Sequence, residues 1–293
     1  MATTISGPRR PDPAPLAGRA TRVVAWIREL AGARDLTANL VRRDLKVRHR
    51  GTFLGMLWSL TTPLLIVGLY YFIFKLLFPQ SPATDVARPD GRSVPFAVYF
   101  FAGLTIWNLF ASSILTSATS VTSAGYMLNK VYFPRAILPL STVLSALVTF
   151  GFELCVLLLV TLAVVGLPSA QLLWLPVIVA VVVALAFGLA MLLSAVNVFL
   201  RDTAHFLAVF VQLWFWGTPI IYSLRFVSRR PGLARLLKLN PMTGTVVSFR
   251  NVVVLNHAPS FKLLAYDVGC ALVALVIGAT VFARFQRTFS EIV

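Results

Sequence analysis

Six long apolar runs alternate with short polar or basic segments, at about 54–78, 96–119, 138–165, 172–199, 203–223 and 263–284. Each run reaches the ~20 residues that an α-helix needs to cross a ~30 Å hydrocarbon core. The runs lack the strict alternation and ~10-residue length of barrel strands. A backbone that crosses lipid must satisfy its own hydrogen bonds, which leaves helices as the alternative to a closed barrel. The pattern predicts an all-α integral membrane protein with six transmembrane helices, its transmembrane domain filling 54–285.

The segments around the runs add three features. Residues 1–20 are Pro-rich and polar, so a disordered tail is expected there. Residues 21–50 predict an amphipathic helix. Val23, Ile27 and Leu30 share one face, Leu36, Leu40, Val41 and Leu45 share another, and basic residues fill the remainder. A soluble amphipathic helix would have the same faces, but the first span follows directly, which favours a helix lying in the headgroup plane. After the fifth run, Gly217-Thr218-Pro219 interrupts the apolar pattern. Asn240-Pro241 then reads as a helix start, with Asn at the N-cap and Pro at the first helical position. The apolar stretch after it, 242–255, is too short to span, so 224–258 predicts a re-entrant helix pair between spans 5 and 6.

Composition supports the membrane reading. Of 293 residues, 58% are hydrophobic and only 12% are charged, against ~25% charged in soluble domains. The net charge of +16 is unevenly placed, with eleven Lys/Arg against four acids in residues 1–53. Such a segment stays beside anionic lipid on the cytoplasmic side, and six spans bring the C-terminus back to that side. The basic balance is therefore directed at lipid, and no nucleic-acid partner is expected. One segment conflicts with the charge rule. Residues 224–262 should lie outside, yet they hold seven Lys/Arg and no acid. Arg225, Arg229, Arg230 and Arg235 would meet lipid headgroups there, or an anionic group on a substrate.

No Gly-Lys dipeptide occurs anywhere in the chain, which excludes the phosphate-cradling G-x-x-x-x-G-K-[ST] loop. ATP-driven work would need a nucleotide site on another polypeptide. Catalysis finds no support either. No two acids lie closer than five residues apart, and His49, His205 and His257 are scattered without ligand spacing. Cys155 and Cys270 fall inside spans and read as small apolar residues. No metal and no cofactor is implied. Glu153 lies in mid-span, where an ionisable side chain is costly and is either functional or paired as structural glue.

Several runs in fixed order carry a family resemblance. They are Arg43-Asp44-Leu45-Lys46 with Arg48 and Arg50, Gly51-Thr52-Phe53-Leu54-Gly55 with Trp58, and Lys130-Val131-Tyr132-Phe133-Pro134-Arg135. Phe199-Leu200-Arg201-Asp202, Thr218-Pro219-Ile220-Ile221-Tyr222, Leu239-Asn240-Pro241-Met242 and Phe249-Arg250 follow. In this order the chain resembles the ABC-2 type permeases that export polysaccharides, including O-antigen, teichoic-acid and cell-wall galactan exporters. The resemblance covers about residues 35–290.

It implies a homodimer docked to two ATP-binding cassette subunits on the cytoplasmic side of a bacterial plasma membrane, moving a lipid-linked glycan. It also implies an interface helix before span 1, with Arg43, Lys46, Arg48 and Arg50 near headgroups. The connector 122–133 would be a coupling helix, presenting Tyr126, Met127, Leu128, Lys130, Tyr132 and the neighbouring Arg135 to the ATPase. Aromatic side chains are candidates for a glycan conduit, because rings offer flat apolar surfaces to sugars. They are Trp58, Tyr70, Tyr71 and Phe74 on span 1 and Phe206, Phe210 and Trp214 on span 5. Lipid-facing packing would place the same rings equally well. Two other functions fit the pattern less closely. A small-molecule efflux permease would have a narrow pore without aromatic lining, and a membrane-embedded glycan enzyme would need the absent acidic cluster. The Ala/Val/Arg-rich usage points toward a GC-rich genome and a galactan, but names no polymer.

Overall fold

The computed structural model describes residues 32–48, 61, 64–65, 68–69, 72, 85–125, 133–227, 230–286 and 288–292. Span 1 and most of the connector lie outside the described residues. Eight helices of eight or more residues are described: α1 (Arg34–Arg48), α2 (Phe96–Ala118), α3 (Ile137–Val164), α4 (Leu175–Phe199), α5 (Thr203–Trp216), α6 (Pro231–Lys238), α7 (Pro241–Val253) and α8 (Phe261–Phe285). Single helical turns occur at Leu224–Val227 and Phe289–Ile292, and a two-stranded antiparallel hairpin pairs β1 (Asp85–Ala87) with β2 (Ser93–Pro95).

Four of these helices are long and apolar enough to cross a membrane: α2, α3, α4 with its leading 3-10 turn, and α8. The fifth apolar run behaves differently. It was expected to continue to residue 223, but α5 stops at Trp216, after 14 residues. That is about 21 Å of helix, short of the ~30 Å core. The cause is local: Gly217, Thr218 and Pro219 follow, and Pro219 cannot donate to a continuing helix.

α2 is the buried centre of the molecule. Eighteen of its residues are buried, from Phe96 to Ala118, and they pack against α3, α4 and α7. α4 and α8 approach closely, backbone to backbone. A Cβ at Gly188 would overlap the α8 backbone at Ala274 and Leu275, and one at Gly278 would overlap the Gly188 carbonyl. Lipid tails give no hydrophobic drive between helices, so small residues that let backbones meet supply the packing. Hydroxyl groups complete the α2–α3 seam, where Ser117 Oγ and Thr142 Oγ1 lie 2.5 Å apart.

Loops gather at the two ends. At one end, the tight turn of the hairpin, with Gly91 at φ +78, carries two arginines onto the α3–α4 loop. Arg88 donates to the Val165 and Leu167 carbonyls at 3.1 and 3.2 Å, and Arg92 to Val165 at 3.1 Å. Two cations thus satisfy carbonyls left open at the α3 C-terminus. Asn256, at φ +55, binds the same loop through Ser169 N–H and the Leu167 carbonyl. At the opposite end, Leu40 of α1 packs with Val121, Phe133, Ile137, Met191, Val198, Phe282 and Phe289.

Candidate functional site

The segment between α5 and α8 builds the most elaborate polar site. Its first hub is Asn240. The helix α7 begins at Pro241 with Asn240 as its cap, the Oδ1 atom accepting the Met242 N–H at 2.9 Å. The same oxygen accepts the Trp214 indole N–H at 2.8 Å. Its Nδ2 donates to the Gly217 carbonyl and to Thr218 Oγ1, each at 2.9 Å. One side chain therefore caps α7 and closes the break after α5.

Trp214 is held from the other side by aromatic rings. Its ring meets Phe110 at 5.1 Å, Phe210 at 5.3 Å and Trp107 at 6.4 Å between centroids. Trp107 is the midpoint of α2 (Phe96–Ala118), so α5 ends level with the middle of a spanning helix. From there α7 runs to the end of the molecule that carries the hairpin. Ten of its 13 residues are buried, which gives a helix too short to span the shelter it needs.

The second hub is Arg250, only 1% exposed, near the C-terminal end of α7. Nε donates to the Tyr99 carbonyl at 2.9 Å and Nη1 to the Pro219 carbonyl at 2.6 Å. Nη2 donates to the Ile220 carbonyl. The guanidinium carbon lies 3.9 Å from the Tyr99 ring centroid, and the group rests on Gly103, where a Cβ would overlap it. Nearby, Asp267 of α8 is pressed onto Gly244 of α7 and faces the Thr245 backbone. Glu153 of α3 is also buried, and its partner is Asn108 of α2, whose Nδ2 donates to Oε2 at 3.4 Å.

The site residues expected from sequence are distributed as follows. Phe210 and Trp214 touch, while Phe206 stands a turn away; Phe206 is 75% and Phe210 55% exposed, and Trp214 is half-buried. Arg230 and Arg235 are exposed on and beside α6, which also exposes Leu233 and Leu236. Arg43 and Lys46 are exposed on α1; Arg43 pairs with Asp44 at 3.2 Å. With Asn39, Arg42 and Val47 they form one exposed surface of that helix. Arg135 is half-buried just before α3. Trp58, Tyr70, Tyr71, Phe74, Arg50, Tyr126, Met127, Leu128, Lys130, Tyr132 and Arg229 lie outside the described residues, as do the side chains of Arg48 and Arg225. Sequence reasoning missed the structural roles of Arg250, Gly103 and Asn108. Only Arg250 left a trace, as the one charged residue of the stretch 242–255.

A multi-pass helical membrane protein, with two short helices, α6 exposed and α7 buried, inserted before its last long helix, is the class these features define. The chain matches the ABC-2 type transporter family over residues 36–254 and belongs to it, which makes it a transporter subunit rather than an enzyme. It is similar to the O-antigen export system permease protein RfbA of Myxococcus xanthus, with 30% identity over 92% of this chain and 99% of that protein. A protein of the same name from Klebsiella pneumoniae is 30% identical over 88% of this chain and 95% of its own length.

Proposed function

We propose that this chain is the permease subunit of an ATP-driven exporter that moves a lipid-linked polysaccharide across a bacterial cytoplasmic membrane. The carrying observation is similarity at 30% identity, along 99% of its length, to a protein named for O-antigen export. The absence of Gly-Lys supports nucleotide binding on partner ATP-binding cassette subunits, and the reading takes two of them per homodimer of this chain. Basic residues before span 1 support a cytoplasmic N-terminus. Span 1, α5 extended by the 217–222 turn, and the four long helices make six membrane segments in this reading. In this arrangement α6 and α7 form the re-entrant pair at the outer face. Exposed Leu233 and Leu236 beside Arg230 and Arg235 suit a helix resting among headgroups. The connector 122–133 carries the ATPase stroke, and rings of spans 1 and 5 face the glycan.

Depletion of the protein tests this reading. A lipid-linked glycan should accumulate on the cytoplasmic side, and its structure would identify the cargo. Normal surface glycan without accumulation would overturn the proposal.

A further inference from the structure

Arg250 is one of the largest fully buried side chains described, and no carboxylate among the described residues bonds to it. Burying a cation is costly unless every donor finds an acceptor. Here the acceptors are backbone carbonyls of two separate elements. Tyr99 belongs to α2, while Pro219 and Ile220 lie in the turn that ends α5. Those carbonyls are available because the turn is not helical: the Ile220 N–H returns to Thr218 O at 2.7 Å, and Pro219 has no N–H. The guanidinium joins α7, the α5 terminus and α2 at one point.

Its seat is also built for it. Gly103 leaves the α2 surface bare where the guanidinium lies, and the Tyr99 ring stacks over its carbon at 3.9 Å. Carbonyl dipoles and a ring hold a cation without neutralising it, so the contact can be exchanged for water. A carboxylate partner would have held the charge more permanently.

We propose that Arg250 is a positioning residue of the transport cycle: a latch that holds α7 and the α5 turn closed against α2 through the Pro219, Ile220 and Tyr99 carbonyls, seated on Gly103. The inference rests on the proposed reading of α6 and α7 as the re-entrant pair at the outer face, where they would gate the exit. In the latched state Ile220 is fully buried. Release of Arg250 frees the 217–222 turn and exposes it.

Thiol labelling of the purified transporter complex in nanodiscs tests the latch. In a background with Cys155→Ala and Cys270→Ala, Ile220→Cys reports on the turn, and Met191→Cys, also fully buried but in the opposite end of the molecule, reports on general loosening. Arg250→Ala and Gly103→Ala should each raise the labelling rate at position 220 by about tenfold or more, the scale of losing one charge-assisted bond. Neither should change the rate at 191. The two substitutions combined should add little, since both undo one contact. Arg250→Lys keeps the charge and one bond, so it should give a smaller rise; it serves if the alanine variant fails to assemble. No rise at 220, or equal rises at 220 and 191, would overturn the latch. A selective rise at 220 with unchanged export would leave the latch standing and remove the gate reading.

Discussion

Asn240 concentrates more polar work than any other single side chain described. Replacing it by Ala removes the α7 cap, the acceptor for the Trp214 indole and the donor to the Gly217 carbonyl. A cap alone is worth ~1 kcal/mol, and a buried orphaned donor adds a comparable cost. Asn240→Ala should therefore destabilise the protein by about 2–3 kcal/mol, read as a lower thermal midpoint in detergent, with Asn240→Asp between it and the parent. This cap was legible in the sequence because capping is local: Asn then Pro, at the start of an apolar stretch. Glu153 shows the opposite case. Its carboxylate was visible in the sequence, but its partner Asn108 is neutral and 45 residues away, so no charge pattern could point to it. A Gln side chain can still accept from Asn108. Glu153→Gln is expected to export normally, whereas Glu153→Leu leaves the Asn108 amide orphaned and lowers the amount of folded protein. Lost export in Glu153→Gln at normal membrane level would assign the ionised form a transport role instead.

The helices show how far periodicity reaches at the scale of elements. Apolar run length located α2, α3, α4 and α8 to within a few residues, because crossing lipid demands unbroken apolar sequence. It overran α5, where Gly217-Thr218-Pro219 ended the helix before the hydrophobicity ended. It also passed over the β-hairpin, although Arg88-Pro89-Asp90-Gly91 carries a turn signal with a mechanism. Which faces meet was not legible, since apolar side chains cover most of both α4 and α8 and the close contact depends on where glycine falls. Gly278→Val should block the approach to Gly188 and lower assembled protein in the membrane, while Gly269→Val, with open space at its Cβ, should not. The aromatic face of α5 divides in the same way. Phe206 and Phe210 are exposed, but Trp214 is fixed by Asn240, Phe110 and Trp107. If the exposed rings line the conduit, Phe206→Ala with Phe210→Ala slows export without loss of stability. Trp214→Ala lowers stability first. Cysteines at 206 and 210 that stay inert to membrane-impermeant thiol reagents would place those rings against lipid.

At the scale of the whole molecule, if the α5–α7 segment gates transport as proposed, energy from outside the chain must reach it, and the packing offers a route. The connector begins at the 3-10 turn Thr122–Ala124. Val121 and Ala124 pack into the cluster that holds Leu40 of α1, Phe133, Ile137 of α3, Met191 and Val198 of α4, and Phe282 of α8. A push on the connector is therefore delivered to the ends of several helices together, because a close-packed cluster transmits strain instead of absorbing it. Val121 follows closely on α2, which runs from this end to Gly103 and Tyr99 beneath Arg250, and α8 carries Asp267 against α7. The chain alone should hydrolyse no ATP, since it has no phosphate-cradling loop; turnover by the isolated subunit would refute the assignment of the nucleotide site to a partner. In the full complex, Tyr126→Ala with Met127→Ala removes apolar groups expected to enter the ATPase subunit. Hydrolysis should continue while export falls. Phe133→Ala leaves that surface intact but opens a cavity in the cluster behind it, so it should keep the subunits associated and still lower the export obtained per ATP. Export at the normal ratio in the double variant would mean that the stroke enters elsewhere, with α1 and its basic face as the remaining contact on the same side.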